Sequence, residues 1–292
     1  MSQSDTIVWL NGRFLPLAEA SISPLDRGFL FADAVYEVIP VYAKRPFLFK
    51  EHIARLTRSL HEIRMKMPMP VDEWANIIST LIDKNKIDDG MIYLQVSRGA
   101  DVIRNHAVPF ALSPTIFLMA SALAPLDSAT LQTGVSALTL ADHRWARCDI
   151  KSTSLLPNIL AKSTAASEQA LEAILLADGM LREGSSSSVL IARSGTLLAP
   201  PYGPEILPGT TRDLCLRLAN ELDIAVTIAP ITEHMLRQAD EIMLCFATRG
   251  VLPVTRLDGK PIGAGTPGPL WQRLYAALAA YRQRVATEPF NT

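Results

Sequence analysis

The sequence predicts an α+β protein organised as two domains, and three observations carry that expectation. At 292 residues the chain exceeds what one ordinary core supports, so two domains or one large one are expected. The first half alternates strand-like runs with amphipathic helical segments, whereas the second half is richer in short strands divided by turn signals. The stretch Ala124-Pro125-Leu126-Asp127 marks the change of composition. A small N-terminal α+β domain is therefore expected over residues 1–122, a linker over 123–128 and a larger C-terminal domain over 129–292.

In chain order, residues 7–10 and 13–14 read as a hairpin, because Asn11-Gly12 supplies the positive φ angles of a two-residue turn. The run 35–42 is a strand. Across 49–67, Ile53, Leu56, Leu60, Ile63 and Met67 recur at helical spacing, and across 71–85 Trp74, Ile77, Ile78, Leu81 and Ile82 do the same. Strands are expected over 91–97 and 115–123, then over 135–140, 172–177, 187–192, 196–199 and 241–247, divided by turns such as Asp178-Gly179, Ser194-Gly195 and Asp258-Gly259. Helices are expected over 157–171, 211–222 and 268–284.

Composition excludes several classes of function. Lys and Arg number 28 against 29 Asp and Glu, without long runs of either sign, so no electrostatic footprint for nucleic acid or an anionic membrane is present. The most apolar region, 110–126, is broken by Ser113, Pro114, Ser121 and Pro125 and falls short of the ~20 residues a membrane span needs. Residues 1–6 have neither the basic stretch nor the apolar core of a secretory signal. Cys148, Cys215 and Cys245 cannot all pair within one chain and show no metal-ligand spacing. These features predict a cytoplasmic protein whose partners are small molecules and other protein chains, with no metal.

Four segments carry chemistry. They are Arg27-Gly28 through Asp33-Ala34-Val35-Tyr36-Glu37-Val38, Arg147-Cys148-Asp149-Ile150-Lys151-Ser152, Glu183-Gly184 followed by four serines, and Leu207-Pro208-Gly209-Thr210-Thr211-Arg212. In order and spacing, from about residue 5 to about residue 260, they resemble the D-amino acid aminotransferases of the class IV, or fold type IV, family. That resemblance implies pyridoxal 5′-phosphate as cofactor, an amino acid and a 2-oxo acid as substrates, and a ping-pong exchange of the amine. It also implies a barrel-like C-terminal domain, with the cofactor between the domains, and a homodimer with its active site near the interface.

The residue types suit these roles. A lysine amine can condense with the cofactor aldehyde and later carry the substrate α-proton, so Lys151 is the candidate covalent anchor and general base. A carboxylate is needed beside the ring nitrogen, and the resemblance assigns Glu183 to it. Outside this context Lys151 would read as a solvated charge and Glu183 as a turn residue. The serines after Glu183 read as a strand whose hydroxyls and amides steady that glutamate, or as a flexible loop. Gly209-Thr210-Thr211 precedes Leu214, Leu218 and Leu222 at helical spacing, and a helix start binds phosphate through its amides. The resemblance puts the phosphate on Thr210 and Thr211, with Arg55 as its cation and Leu207 against the ring; a plain helix cap is the alternative. Tyr36 resembles the family's active-site tyrosine, which hydrogen-bonds near the lysine and cofactor, with a half-buried strand tyrosine as the alternative reading, and the resemblance puts Val38 with it on the substrate side. Arg104 and His106 resemble the pair that binds the substrate α-carboxylate, contributed in that family by the neighbouring subunit.

The sequence departs from the pattern in two places. Ala32 and Ala34 replace the usual glycines, and neither is expected to need positive φ. Ala247 stands where a threonine hydroxyl usually meets the phosphate, and Arg249 adds a cation on the substrate side. Arg249 and Arg182 therefore compete with Arg104 for the carboxylate. The scaffold also admits a branched-chain L-amino acid or (R)-amine aminotransferase and aminodeoxychorismate lyase. A cofactor-binding module without turnover is disfavoured by the presence of both Lys151 and Glu183.

Overall fold

The computed structural model describes residues 6–108 and 112–287. The residues at both ends of the chain, including those read as lacking a secretory signal, and the start of the apolar stretch at Phe110 lie outside the described residues. The chain divides into two compact units. The first comprises 1–124, 150–154 and 284–292, and the second 125–149 and 155–283.

The first unit is, among the described residues, a six-stranded antiparallel sheet with two long α-helices and one short one. Strand β1 (Ile7–Leu10) turns into β2 (Arg13–Pro16) through Asn11 and Gly12, at φ 47° and 90°. A short helix α1 (Arg27–Phe31) leads into β3 (Ala34–Tyr42) and the two-residue β4 (Arg45–Pro46). Helices α2 (Phe49–Glu62) and α3 (Val71–Lys84) follow, then β5 (Gly90–Ser97) and β6 (Thr115–Ala122). The sheet order is β2-β1-β6-β5-β3-β4. Alternate residues of three strands, Val35, Ile39 and Val41, then Ile92, Leu94 and Val96, then Leu118 and Ala120, join one core with Leu56 and Leu60 of α2 and with Trp74, Ile78 and Leu81 of α3. The period of two in the strands and 3.6 in the helices thus meet in a single layer.

Two expectations fail here. The helix read over 49–67 stops at Glu62, since Arg64 adopts φ 58°; Ile63, Met65 and Met67 still pack on the core as irregular chain, which kept the apolar spacing going. Ala32 does need positive φ. It closes α1 in the left-handed conformation at φ 55°, with its N–H donating to the Arg27 and Gly28 carbonyls, a conformation costing an alanine ~1–2 kcal/mol relative to glycine.

In the second unit, α4 (Ser128–Thr133) begins within the stretch read as a linker, because the Asp127 side chain accepts from the Ala129 N–H and caps it. Then come β7 (Val135–Ala141), α5 (Leu156–Ser167), β8 (Glu172–Ala177), β9 (Met180–Gly184), β10 (Ser188–Arg193) and β11 (Thr196–Ala199). After α6 (Thr210–Glu221) follow β12 (Val226–Ile228), α7 (Glu233–Arg237), β13 (Glu241–Phe246), β14 (Gly250–Leu257) and β15 (Lys260–Pro261). The last helix, α8 (Pro269–Thr287), closes the described chain. The nine strands form one mixed sheet of order β12-β11-β10-β13-β14-β7-β8-β9, with β15 on β14, curled as a half-barrel. The helix expected over 157–171 ends at Ser167, where Gln169 turns left-handed at φ 57° and the Ala170 N–H closes on the Ala165 carbonyl.

Candidate active site

Residues 150–154 are held in the first unit by their backbone. The Tyr36 N–H donates to the Lys151 carbonyl at 3.0 Å, the Thr153 N–H donates to the Ala34 carbonyl at 3.0 Å, and the Lys151 N–H donates to Ser59 Oγ at 3.2 Å. Ile150 sits in the core beneath. The lysine main chain is thereby fixed against β3 and α2, and its Nζ lies 4.3 Å from the centroid of the Tyr36 ring. An ammonium over an aromatic face gains ~0.5–2 kcal/mol and loses much of its freedom to wander. Strand alternation puts Tyr36 and Val38 on one face of β3, both half-buried. Tyr36 stacks on Tyr93 at 5.9 Å. Burial, and then the neighbouring Tyr36, push the Tyr93 hydroxyl up to about 12, so it stays protonated and donates to Gln95 Oε1 at 2.6 Å.

The opposite face of β3 carries Glu37, fully buried. It accepts from Arg55 Nε at 2.7 Å and Arg55 Nη2 at 2.8 Å, and His52 Nδ1 lies 2.7 Å from its second oxygen. Burial alone would raise its pKa, but the charge and hydrogen bonds of Arg55, and then of His52, outweigh burial and hold the carboxyl far below its usual range. Burial also dominates at His52, keeping the ring neutral more readily than usual despite Glu37. Arg55, one of the sequence candidates, is thus gripped in a buried network.

The second unit assembles its own set. Glu183, on β9, is buried; the guanidinium of Arg144 binds its Oε1, and the Leu207 N–H donates to both oxygens at 3.2 and 3.3 Å. Arg144 is itself forked onto Asp142, Nε to Oδ1 at 2.9 Å and Nη2 to Oδ2 at 2.8 Å. Burial works against that cation, yet Asp142 and Glu183 keep it charged beyond its ordinary range. Arg144 escaped the sequence reading; its only signal was an arginine two residues after an aspartate, in a stretch that gives no periodicity. Nearby, burial pushes the Cys148 thiol up to about 11, with Asp142, Glu183 and Asp149 adding to the rise against Arg144, so the thiol stays protonated at neutral pH.

The serine run corrects an expectation. Ser185, Ser186 and Ser187 do not steady Glu183; their hydroxyls all donate to Glu172, a fully buried carboxylate on β8, at 2.7 Å for Ser186 and 3.1 Å for Ser187. Only Ser188 belongs to a strand, β10. The serines therefore fold the turn after Glu183 around a different glutamate.

At the start of α6, Gly209 is the cap residue and brings no side chain over the first amides. A Cβ there would stand 2.3 Å from Ser188 Oγ, so any larger residue would have to turn that hydroxyl aside. Thr210 and Thr211 are buried, and the Thr211 hydroxyl donates to the Phe246 carbonyl at 3.1 Å. That bond ties the helix start to the loop between β13 and β14, which holds the half-buried Ala247 and the exposed Arg249. Arg104 and His106 lie on an exposed loop of the first unit, and Arg182 pairs with Asp178 at 3.8 Å. Among the described residues no group of three or more His, Cys, Asp or Glu could hold a metal ion, and no helix is long and apolar enough to cross a membrane.

The first unit offers an amine fixed over a tyrosine, and the second a buried carboxylate oriented by an arginine and a glycine-led helix start. Residues 34–257 match the amino-transferase class IV family, and the chain belongs to that family of pyridoxal phosphate-dependent enzymes. Two curated relatives are the D-alanine aminotransferases of Bacillus licheniformis, 39% identical and aligned over 93% of this chain and 95% of that one, and of Staphylococcus aureus (strain MSSA476), 37% identical over 94% and 97%. Among solved structures, the T.th. branched-chain amino acid aminotransferase with pyridoxamine 5′-phosphate superposes with a TM-score of 0.88 at 29% identity, covering 98% of this chain and 96% of that one. The 4-amino-4-deoxychorismate lyase of Pseudomonas aeruginosa gives 0.80 at 26% identity, covering 94% and 98%.

Proposed function

We propose that this enzyme transfers the amine of a D-amino acid, such as D-alanine or D-glutamate, to a 2-oxo acid, using pyridoxal 5′-phosphate. The carrying observation is that the chain aligns over 93–94% of its length with D-alanine aminotransferases at 37–39% identity while presenting Lys151 pinned over Tyr36. Its likeness to branched-chain enzymes and to the lyase is lower in identity, at 26–29%. When bound, the cofactor supplies an aldehyde for an amine and a ring that accepts the electron pair released at the substrate α-carbon.

The chain's own groups do the rest in this reading. Lys151 anchors the cofactor and, once displaced by substrate, carries the α-proton at Nζ. Tyr36 keeps that amine in place, and Val38 lines the same face of the strand. Glu183, oriented by Arg144, holds the proton on the ring nitrogen, and Leu207 packs on the ring. Thr210 and Thr211 take the phosphate with the helix dipole, and Arg55 supplies its positive charge. In the homodimer, Arg104 and His106 of the partner subunit grip the substrate carboxylate, the arginine through paired N–H groups; Arg249 answers a second carboxylate where the substrate has one. The two half-reactions then follow one another in ping-pong order.

The functional form is proposed to be a homodimer in a reducing cytoplasm. Leu156, Ile159 and Leu160 are exposed on α5, Phe29, Val102 and Ile103 are exposed in the first unit, and all three cysteines are free. The test of function is the absorbance of purified, cofactor-loaded protein before and after D-alanine, then L-leucine. Bleaching of the long-wavelength band by D-alanine alone is expected; bleaching by L-leucine alone would overturn the stereochemical reading.

A further inference from the structure

Arg104 and His106 sit on a loop with no regular structure of its own and exposed from Val102 to Val108. A guanidinium grips a carboxylate with useful geometry only if its backbone stays still, so something must hold this loop. Its stems are tied by Asp26. One carboxylate oxygen accepts from the Gly28 N–H at 2.8 Å, and the other accepts from Ser97 Oγ at 3.0 Å and Thr115 Oγ1 at 2.6 Å, one residue on each side of the loop.

The tip is tied by Arg27. Its side chain is buried, and its Nη1 donates to the carbonyls of Asn105 at 2.6 Å and Ala107 at 3.4 Å, while Nη2 donates to the His106 carbonyl at 3.1 Å. Three successive carbonyls thus converge on one cation. Arg27 Nε is held in turn by Asp33 at 2.9 Å, and Arg98 grips the same carboxylate at 2.8 and 3.0 Å. Burial would raise the Asp33 pKa, but Arg98 and Arg27 keep it below its usual value, so the brace stays charged at neutral pH. Phe31 completes the arrangement: the Arg27 and Arg104 guanidinium carbons lie 5.0 and 4.9 Å from its ring centroid, and the His106 ring lies 5.0 Å away.

We propose that Arg27 is a positioning residue for the substrate carboxylate, fixing the 104–107 loop through its backbone carbonyls while Phe31 sets the direction of the Arg104 and His106 side chains. The functional half of this proposal rests on the reading of Arg104 and His106 given above. Lysine cannot replace Arg27, because a single ammonium reaches Asp33 or the carbonyls but lacks the planar fork that spans both.

The experiment uses cofactor-loaded Arg27→Gln and Arg27→Lys, the latter retaining the charge beside Asp33 should the former fold poorly. Both are also placed in a background carrying Arg104→Ala and His106→Ala. Trypsin cleavage after the exposed Arg104 should accelerate in both Arg27 variants, with cofactor absorbance retained. In the otherwise wild-type enzyme, kcat/KM for D-alanine should fall on the order of tenfold, mainly through KM. In the background lacking Arg104 and His106 the same change should cost less than about twofold. An unchanged cleavage rate, or an equal penalty in both backgrounds, overturns the role of Arg27. If the background alone leaves D-alanine turnover intact, the carboxylate assignment fails, and the cleavage result still decides whether Arg27 holds the loop.

Discussion

Replacing Glu37 by glutamine should be among the most damaging single changes in the first unit, although it alters one atom. The carboxylate is fully buried and meets a guanidinium that is 7% exposed, with two hydrogen bonds of 2.7 and 2.8 Å and a third contact to His52 at 2.7 Å. An exposed pair of this type contributes only ~0–1 kcal/mol. Here the charge on Arg55 would remain, buried and facing a neutral amide that must turn an N–H toward one of its donors, and removing one partner of a buried pair costs ~3–5 kcal/mol. Urea unfolding followed by tryptophan fluorescence is suited to the measurement, because Trp74 is buried in the adjoining core. Glu37→Gln should lose that amount without a change in slope. Arg55→Met, and then the double variant, complete the cycle: the double variant should be more stable than the sum of the single losses, since it leaves no unpaired charge. A loss below about 1 kcal/mol for Glu37→Gln, or strict additivity, would show that water reaches the pair and that the network argument is wrong.

Further outcomes follow from the same geometry. Lys151→Ala should abolish transamination while leaving the fold and phosphate binding intact, and borohydride reduction with peptide mapping should label Lys151 in the parent enzyme; a label on Lys162 would refute the assignment. Ala247→Thr should slow cofactor loss by an amount on the order of one hydrogen bond, ~0.5–1.5 kcal/mol, read by dialysis and absorbance; no change would mean the hydroxyl does not reach the phosphate. His52 has its folded pKa depressed by burial, so the unfolded chain binds its proton first and stability falls with decreasing pH once the ordinary histidine value is passed, by up to ~1.4 kcal/mol per pH unit. The slope between pH 6.5 and 5 should therefore flatten in His52→Gln, and an unaltered slope would assign it elsewhere. Leu160→Asp should shift sedimentation toward the monomer if the exposed face of α5 is covered by a second copy, and an unchanged coefficient would exclude that face.

The extended strands and the two long helices of the first unit were legible in the sequence because their apolar residues keep one period over several turns or pleats. Strand β3 is the clearest case: Val35, Ile39 and Val41 sit beneath it while Tyr36 and Val38 lie on the other face. Backbone handedness was not legible. An alanine at φ 55° gives no chemical sign, and Ala32 became visible only when the end of α1 was seen. Pairings between distant residues were equally silent. The serine run could as well have served Glu183 as Glu172, and the choice depends on β8 and β9 lying side by side. Arg144 and Arg27 belong to the same class, since an arginine's role is set by which buried acceptors the fold brings to it. The candidates Lys151, Glu183 and Thr211 were reached only through resemblance to a family motif, which ties distant positions together where local periodicity is silent.

The five residues from Ile150 to Ser154 are counted with the first unit although more than twenty residues of the second precede them. The ribosome thus releases an N-terminal half that is one strand-like segment short: Ile150 is missing from its core, and the Tyr36 N–H and Ala34 carbonyl lack their partners until the chain has grown past Thr153. A gene cut between residues 124 and 125 would leave residues 150–154 of the first unit on the second fragment, which otherwise carries the whole of its own unit. A chimera with a relative would have to transplant this pentapeptide together with the first 124 residues, and the unit boundary relevant to recombination is consequently discontinuous in the gene.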